Sequence, residues 1–239
     1  MKTYRMNAVM AGGLYVLGTV FGVLSAVTGG QILSSGVTDQ ALEGVDLLSL
    51  AAADASRLTT GALLILLMGI SLSSMTLFLY PLFRKDSEEL AAGMLLFRGA
   101  IEGVYYFVVA LGVLTMTALG SEYVATGSNT AALRSMGNVL LEFQGFVGHA
   151  GTFLFLVGAI CLYISFYRTR LIPRWLSIWG LIGAVPFMAN AALHILNVDI
   201  GGMGLYIQLP LAIQEIVMGL WLVIAGFNKD AVRKLDEAH

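Results

Sequence analysis

Six stretches of this chain are almost wholly apolar for about 20 residues or more, the length an α-helix needs to cross the hydrocarbon core of a bilayer. Lipid offers no hydrogen bonds, so a spanning segment must satisfy its own backbone, and long uninterrupted apolar runs do this as helices. The stretches are Ala8–Thr28, Leu58–Phe83, Leu90–Leu119, Asn138–Phe166, Trp175–Leu196 and Leu205–Phe227. The third and fourth exceed what a span requires and are expected to tilt or project. Composition agrees, because only 12% of residues are charged against about 25% in soluble domains. A net charge of -2 without a long basic run excludes nucleic acid as a partner. A lone Cys161 excludes an intrachain disulfide and a cysteine-built zinc site. The reading is an all-α polytopic membrane protein, a six-transmembrane-helix bundle forming a single domain over residues 1–239.

Basic residues give the orientation. Ten of the 13 Lys and Arg fall on one side of a six-span topology: Lys2, Arg5, Arg84, Lys85, Arg168, Arg170, Arg174, Lys229, Arg233 and Lys234. Arg57 and Arg134 fall on the other side, and Arg98 lies within a span. The positive-inside rule therefore predicts both termini in the cytoplasm, with Tyr4, Tyr80, Tyr163, Tyr167 and Trp175 as an aromatic belt at that boundary. The first stretch also has the basic start of a signal peptide, but it is longer than the usual h-region of about 7–15 residues. Outside the membrane, residues 29–57 place Leu42, Val45, Leu48 and Ala51 at helical spacing among Asp39, Glu43, Asp46 and Asp54, a short amphipathic helix capping the bundle. Residues 120–137, rich in Ser, Thr, Asn and Gly, read as a plain connector. Gly18 and Gly22, Gly99 and Gly103, and the ladder Gly145, Gly148, Gly151 suit close helix approach.

Ionisable groups at membrane depth cost several kcal/mol unless paired, hydrated or neutral, so each points to function. The third span holds Arg98, Glu102 and Tyr105; the fourth Glu142 and His149; the fifth Asn190, His194 and Asn197; the sixth Gln208 and Glu215, with Gln214 adjacent to this face. Within each span these sit on one helical face, and four polar faces that lipid cannot solvate should turn toward one another. Counted by depth, Glu102, His149 and Glu215 lie near the midplane, while Glu142, Asn190, His194 and Gln208 lie further out, which predicts a polar pocket opening outward. One Arg facing three Glu leaves a formal deficit of two, which a dry site cannot hold. Protonation, cationic His, a bound cation or water would each relieve it. The competing reading of the same residues is structural: an ion pair of Arg98 with Glu102 or Glu215 that fixes helix register, His149 as an interhelical donor, and Asn190, His194 and Asn197 merely wet.

Four stretches also look familiar: AGGLYVLGTVFGVLSAV, LLFRGAIEG, YRTRLIPRWLSIWGLIGA and LPLAIQEIVMGLWLVIAGF. In this order they resemble the bacterial membrane-protein family catalogued as domain of unknown function 4386. The matching residues are Arg98 and Glu102, then Pro173, Arg174 and Trp175, then Gln214, Glu215 and Trp221. The resemblance implies a six-span protein of the bacterial plasma membrane and no particular activity.

Three functions compete. A binding or transport protein would receive a small cationic or amphipathic molecule in a pocket of Arg98, Glu102, Tyr105, Glu142, His149, Asn190, His194, Gln214 and Glu215, or couple to protons through Glu102 and Glu215. Its partners would be membrane lipids, that small molecule or cation, and a second copy in a homodimer, since six spans make a small transporter. A structural or sensory component would need no ligand. A membrane-embedded lipid hydrolase would hold zinc on His149, His194 and Glu142 or Glu215, with another Glu as base. Neither HxxxH nor HExxH nor a GxSxG elbow occurs, so the favoured reading needs no cofactor.

Overall fold

The computed structural model describes residues 2–29, 47–127, 131–198 and 203–237, all helices and short connections. In chain order these are α1 (Lys2–Val27), α2 (Leu47–Ala53), α3 (Ala55–Phe83), α4 (Glu88–Met94), a π-helical turn (Leu95–Ile101), α5 (Glu102–Ala125), α6 (Ala131–Thr169), α7 (Arg174–Ile195), α8 (Met203–Ile224) and α9 (Lys229–Glu237). Among the described residues six spans are long and apolar enough to cross a membrane: Tyr4–Val27, Ala55–Phe83, Glu88–Ala125, Ala131–Thr169, Arg174–Ile195 and Tyr206–Ile224. The protein is thus an all-α, multi-pass membrane bundle. Its third span joins α4, the π turn and α5 over 38 residues, about 57 Å at the helical rise, well beyond a hydrocarbon core of about 30 Å.

The connector expected over residues 120–137 is mostly helix: α5 runs to Ala125 and α6 begins at Ala131. The Ser and Thr that suggested a loop fold their hydroxyls back on their own helix, Ser121 to the Thr117 carbonyl (3.0 Å) and Thr126 to that of Glu122 (2.9 Å). Polar side chains satisfied this way do not break a helix, particularly where it leaves the bilayer. Of the amphipathic helix expected over 29–57, Leu47–Ala53 is present as α2 with Leu48 and Ala51 buried; Asp39, Leu42, Glu43, Val45 and Asp46 lie outside the described residues.

Contacts divide the chain into two compact units. In the unit formed by Val20–Gly69 and Val104–His149, α2 lies against α5 and α6, where Gly120 and Gly137 leave room for Leu48. Gln144 of α6 is buried in the notch at Gly112 of α5 and donates to the Val109 carbonyl (2.9 Å). Tyr123 is also fully buried, and Arg134 donates to its hydroxyl.

The other unit comprises Met1–Thr19, Ile70–Gly103 and Ala150–His239. Its α7 and α8 run antiparallel, Gly183 meeting Leu211 and Trp175 meeting Trp221. The C-terminal ends of α3 and α6 meet edge to face at Phe83 and Phe166 (4.9 Å). Nine basic side chains among the described ones gather at this end with six acidic ones. Arg168 pairs with Asp86 (2.7 Å), and Arg5 donates to the Val223 and Ile224 carbonyls that close α8. Asp236 of α9 accepts from Tyr4 (2.6 Å) and from Lys85 (2.5 Å), tying the last helix to the first and to the α3–α4 corner. The expected aromatic belt is redrawn at one residue: Tyr163 is fully buried.

The Lys85 hydrogen bond, and then that of Tyr4, holds the Asp236 carboxyl below its usual range, while Asp236 raises the Lys85 ammonium above its own. A lowered acid contributes stability above its unfolded value and loses it in acid; a raised base contributes below its unfolded value and loses it in alkali. A spin label at residue 237 should therefore be immobile near neutrality and become mobile below about pH 4 and above about pH 10.5. In Asp236→Asn it should be mobile throughout, and a mobility independent of pH in the parent protein would contradict the tether.

Candidate functional site

Arg98 sits in the π turn between α4 and α5, where one extra residue per turn widens the helix. The amide of Glu102 donates to the carbonyls of Phe97 and Gly99, and Ser73 of α3 donates to the same Gly99 oxygen (2.8 Å). Small residues let other helices close on this turn. Gly99 and Gly103 face Thr76 and Ser73, and a methyl group at Gly158 of α6 would overlap the backbone nitrogen of Arg98. The turn is therefore clamped between α3 and α6, with the Arg98 side chain 2% exposed.

The guanidinium spreads over three oxygens. Nη1 donates to Glu102 Oε1 (2.8 Å), and Nη2 donates to the Tyr15 hydroxyl (2.6 Å) and to Glu215 Oε1 (2.9 Å). Tyr15 in turn donates to the same Glu215 oxygen (2.7 Å), which closes a ring through α1, α5 and α8. The rings of Phe155 and Tyr15 lie 4.8 and 5.3 Å from the guanidinium carbon, close enough for cation–π attraction. Glu102 is enclosed, whereas the Glu215 side chain keeps 20% of its surface open.

The residue before Glu215 faces the other way. Gln214 is fully buried, accepts from the Tyr163 hydroxyl (2.9 Å) and donates to the Leu176 carbonyl (3.0 Å), linking α8 to α6 and α7. These bonds fix the rotation of α8 and so hold Glu215 toward Arg98. On α1 and α8 the backbones meet at Gly12 and Gly219, where a Cβ at residue 12 would stand 2.5 Å from the Gly219 oxygen.

Of the nine residues expected to line one pocket, the ring unites Arg98, Glu102 and Glu215, with Gln214 directly behind. Asn190 and His194 belong to the same unit but lie further along α7. Asn190 is buried beside Gly204, its Oδ1 without a partner among the described residues. Gly204 precedes Glu215 by 11 positions, about 16 Å along α8. Tyr105, Glu142 and His149 belong to the second unit. There Tyr105 packs on Tyr106 (4.7 Å), His149 is half-buried, and Glu142 is exposed beside Val139, Phe143 and Phe146. Within its own unit two Glu face Arg98. The deficit of the ring is one.

The sequence did not single out Tyr15, Ser73 or Phe155, and it placed Tyr163 in the aromatic belt. Tyr15 had a usable signal, as it interrupts the stripe of small residues Ala8, Ala11, Gly12 and Gly18, the face by which α1 packs. Among the described residues no three His, Cys, Asp or Glu side chains are grouped to hold a metal.

A family model described as domain of unknown function (DUF4386) matches residues 10–226. No curated protein and no solved structure matches the chain.

Overpacking a close-packed contact costs about 1–3 kcal/mol. Gly158→Ala should lower unfolding stability in mixed detergent micelles by that amount; unaltered stability would contradict the clamp on Arg98.

Proposed function

From the premise that the chain belongs to the DUF4386 family, we propose that this six-span protein binds, and carries across its membrane, a small cationic or amphipathic molecule in exchange for a proton held at Glu215. One observation carries this reading: two carboxylates face a single guanidinium, and only Glu215 retains an open side. A surplus negative charge at membrane depth must be offset. In the empty site a proton on Glu215 offsets it, and an arriving cation takes over that role and releases the proton. Gln208, exposed two turns before Glu215 on α8, continues the polar face away from the basic end of the unit.

The basic end supports an orientation with both termini in the cytoplasm of a bacterial cell, the bilayer being the plasma membrane. Six spans enclose little volume, which favours a homodimer as the transporting form. The ring also fastens α1, α5 and α8, so the structural role and the exchange role reside in the same atoms, and a test must read protons as well as stability.

In unbuffered detergent solution, hexylammonium chloride should release about one proton per protein and raise stability by about 2.7 kcal/mol at a hundredfold excess over its dissociation constant. Glu215→Gln and Glu102→Gln each leave a neutral ring, so both should fold and release none. Glu142→Gln, which lies outside the ring, should behave as the parent. Proton release that persists in Glu215→Gln, or no release from the parent, would defeat the proposal.

A further inference from the structure

All three tryptophans of the chain gather at the basic end of one unit. Trp175 stacks on Trp179 (6.2 Å between ring centres) and meets the edge of Trp221 (6.5 Å). Trp175 remains 51% exposed, and the face of α7 that it begins continues through exposed Ile178 and Ile182. Indole rings favour the depth of lipid headgroups, with an apolar body and one polar N–H.

Next to this stripe, Arg174 lies with its guanidinium over the Tyr167 ring (4.6 Å), which fixes the plane of the fork and leaves its edges open. Three other cations of this end are answered by carboxylates: Arg168 by Asp86, Lys85 by Asp236, Arg233 by Asp230 and Glu237. Among the described residues no carboxylate answers Arg174 or Arg170, and both are exposed. The corner that carries them is rigidly held. Leu171 and Ile172 are buried, Pro173 caps α7, and the amide of Asn228 donates to the Leu171 carbonyl (2.9 Å). Arg170 takes a left-handed backbone (φ 56°) that turns the chain at this point.

Two unanswered guanidinium groups at the mouth of an apolar, indole-lined stripe complement a ligand with a phosphate at one end and a hydrocarbon chain at the other. We infer that the α6–α7 corner is a binding site for an anionic phospholipid, its phosphate on Arg174 and Arg170 and an acyl chain along Trp175, Ile178 and Ile182. The planar fork of Arg matches phosphate oxygens two at a time, and basic clusters at the ends of spanning helices attract anionic headgroups. The site is separate from the Arg98 ring, and neither depends on the other.

Because every tryptophan belongs to the cluster, intrinsic fluorescence reports on this site alone. Delipidated protein in dodecylmaltoside is titrated with phosphatidylglycerol or phosphatidylcholine carrying brominated acyl chains, which quench indole on contact. Each guanidinium should favour the anionic lipid by about fivefold. Half-quenching by brominated phosphatidylglycerol should therefore need at least five times less lipid than by brominated phosphatidylcholine. Arg174→Gln should reduce that preference about fivefold, and Arg233→Gln, whose residue is already paired, should leave it intact. If Arg174→Gln does not fold, Arg170→Gln carries the test with the same expectation. Superimposable curves for the two lipids, a preference retained in both variants, or relief of quenching by excess inorganic phosphate would overturn the assignment.

Discussion

The protein depends on keeping one guanidinium out of water. An Arg at membrane depth is tolerable only where other groups take the place of its hydration shell, and Arg98 obtains those groups from three spans at once: Glu102 one turn along its own helix, Tyr15 on α1 and Glu215 on α8. The π turn, the glycines that admit α3 and α6, and the Gln214 bonds that set the rotation of α8 all follow from this need.

The same ring is not electrically complete. Replacing the hydration of Arg98 takes more acceptors than a single carboxylate supplies, and using two brings one charge too many. Glu102 lies enclosed, so the adjustable position is Glu215, the carboxylate with an open side. The structural role and the proposed exchange thus share a cause. A neutral Gln at either position would hold the helices together nearly as well, so the second acid is what supports the proposed binding of a cation at the ring.

Six spans and the importance of Arg98, Glu102 and Glu215 were legible in the sequence because both rest on the cost of polar groups in hydrocarbon, which holds wherever the neighbours are. Glu142 is exposed and lies in the other unit, and helical spacing gives a residue's face without saying what faces it. Tyr15 went unremarked and Tyr163 was placed in the belt because a tyrosine in a membrane protein reads equally well as packing or belt, and only the partner of its hydroxyl decides. The loop expected at residues 120–137 failed for a related reason, since hydroxyl-rich sequence signals a connector only where those hydroxyls do not return to their own helix.

The central claim is that the Arg98 ring carries one negative charge more than its guanidinium balances, offset by a proton on Glu215. Infrared spectroscopy of the ligand-free protein reads this directly, because a protonated carboxyl absorbs apart from a carboxylate and shifts in heavy water. The account predicts a protonated carboxyl band in the parent that vanishes in Glu215→Gln and survives in Glu142→Gln. A band that survives in Glu215→Gln, or none in the parent at neutral pH, would contradict it.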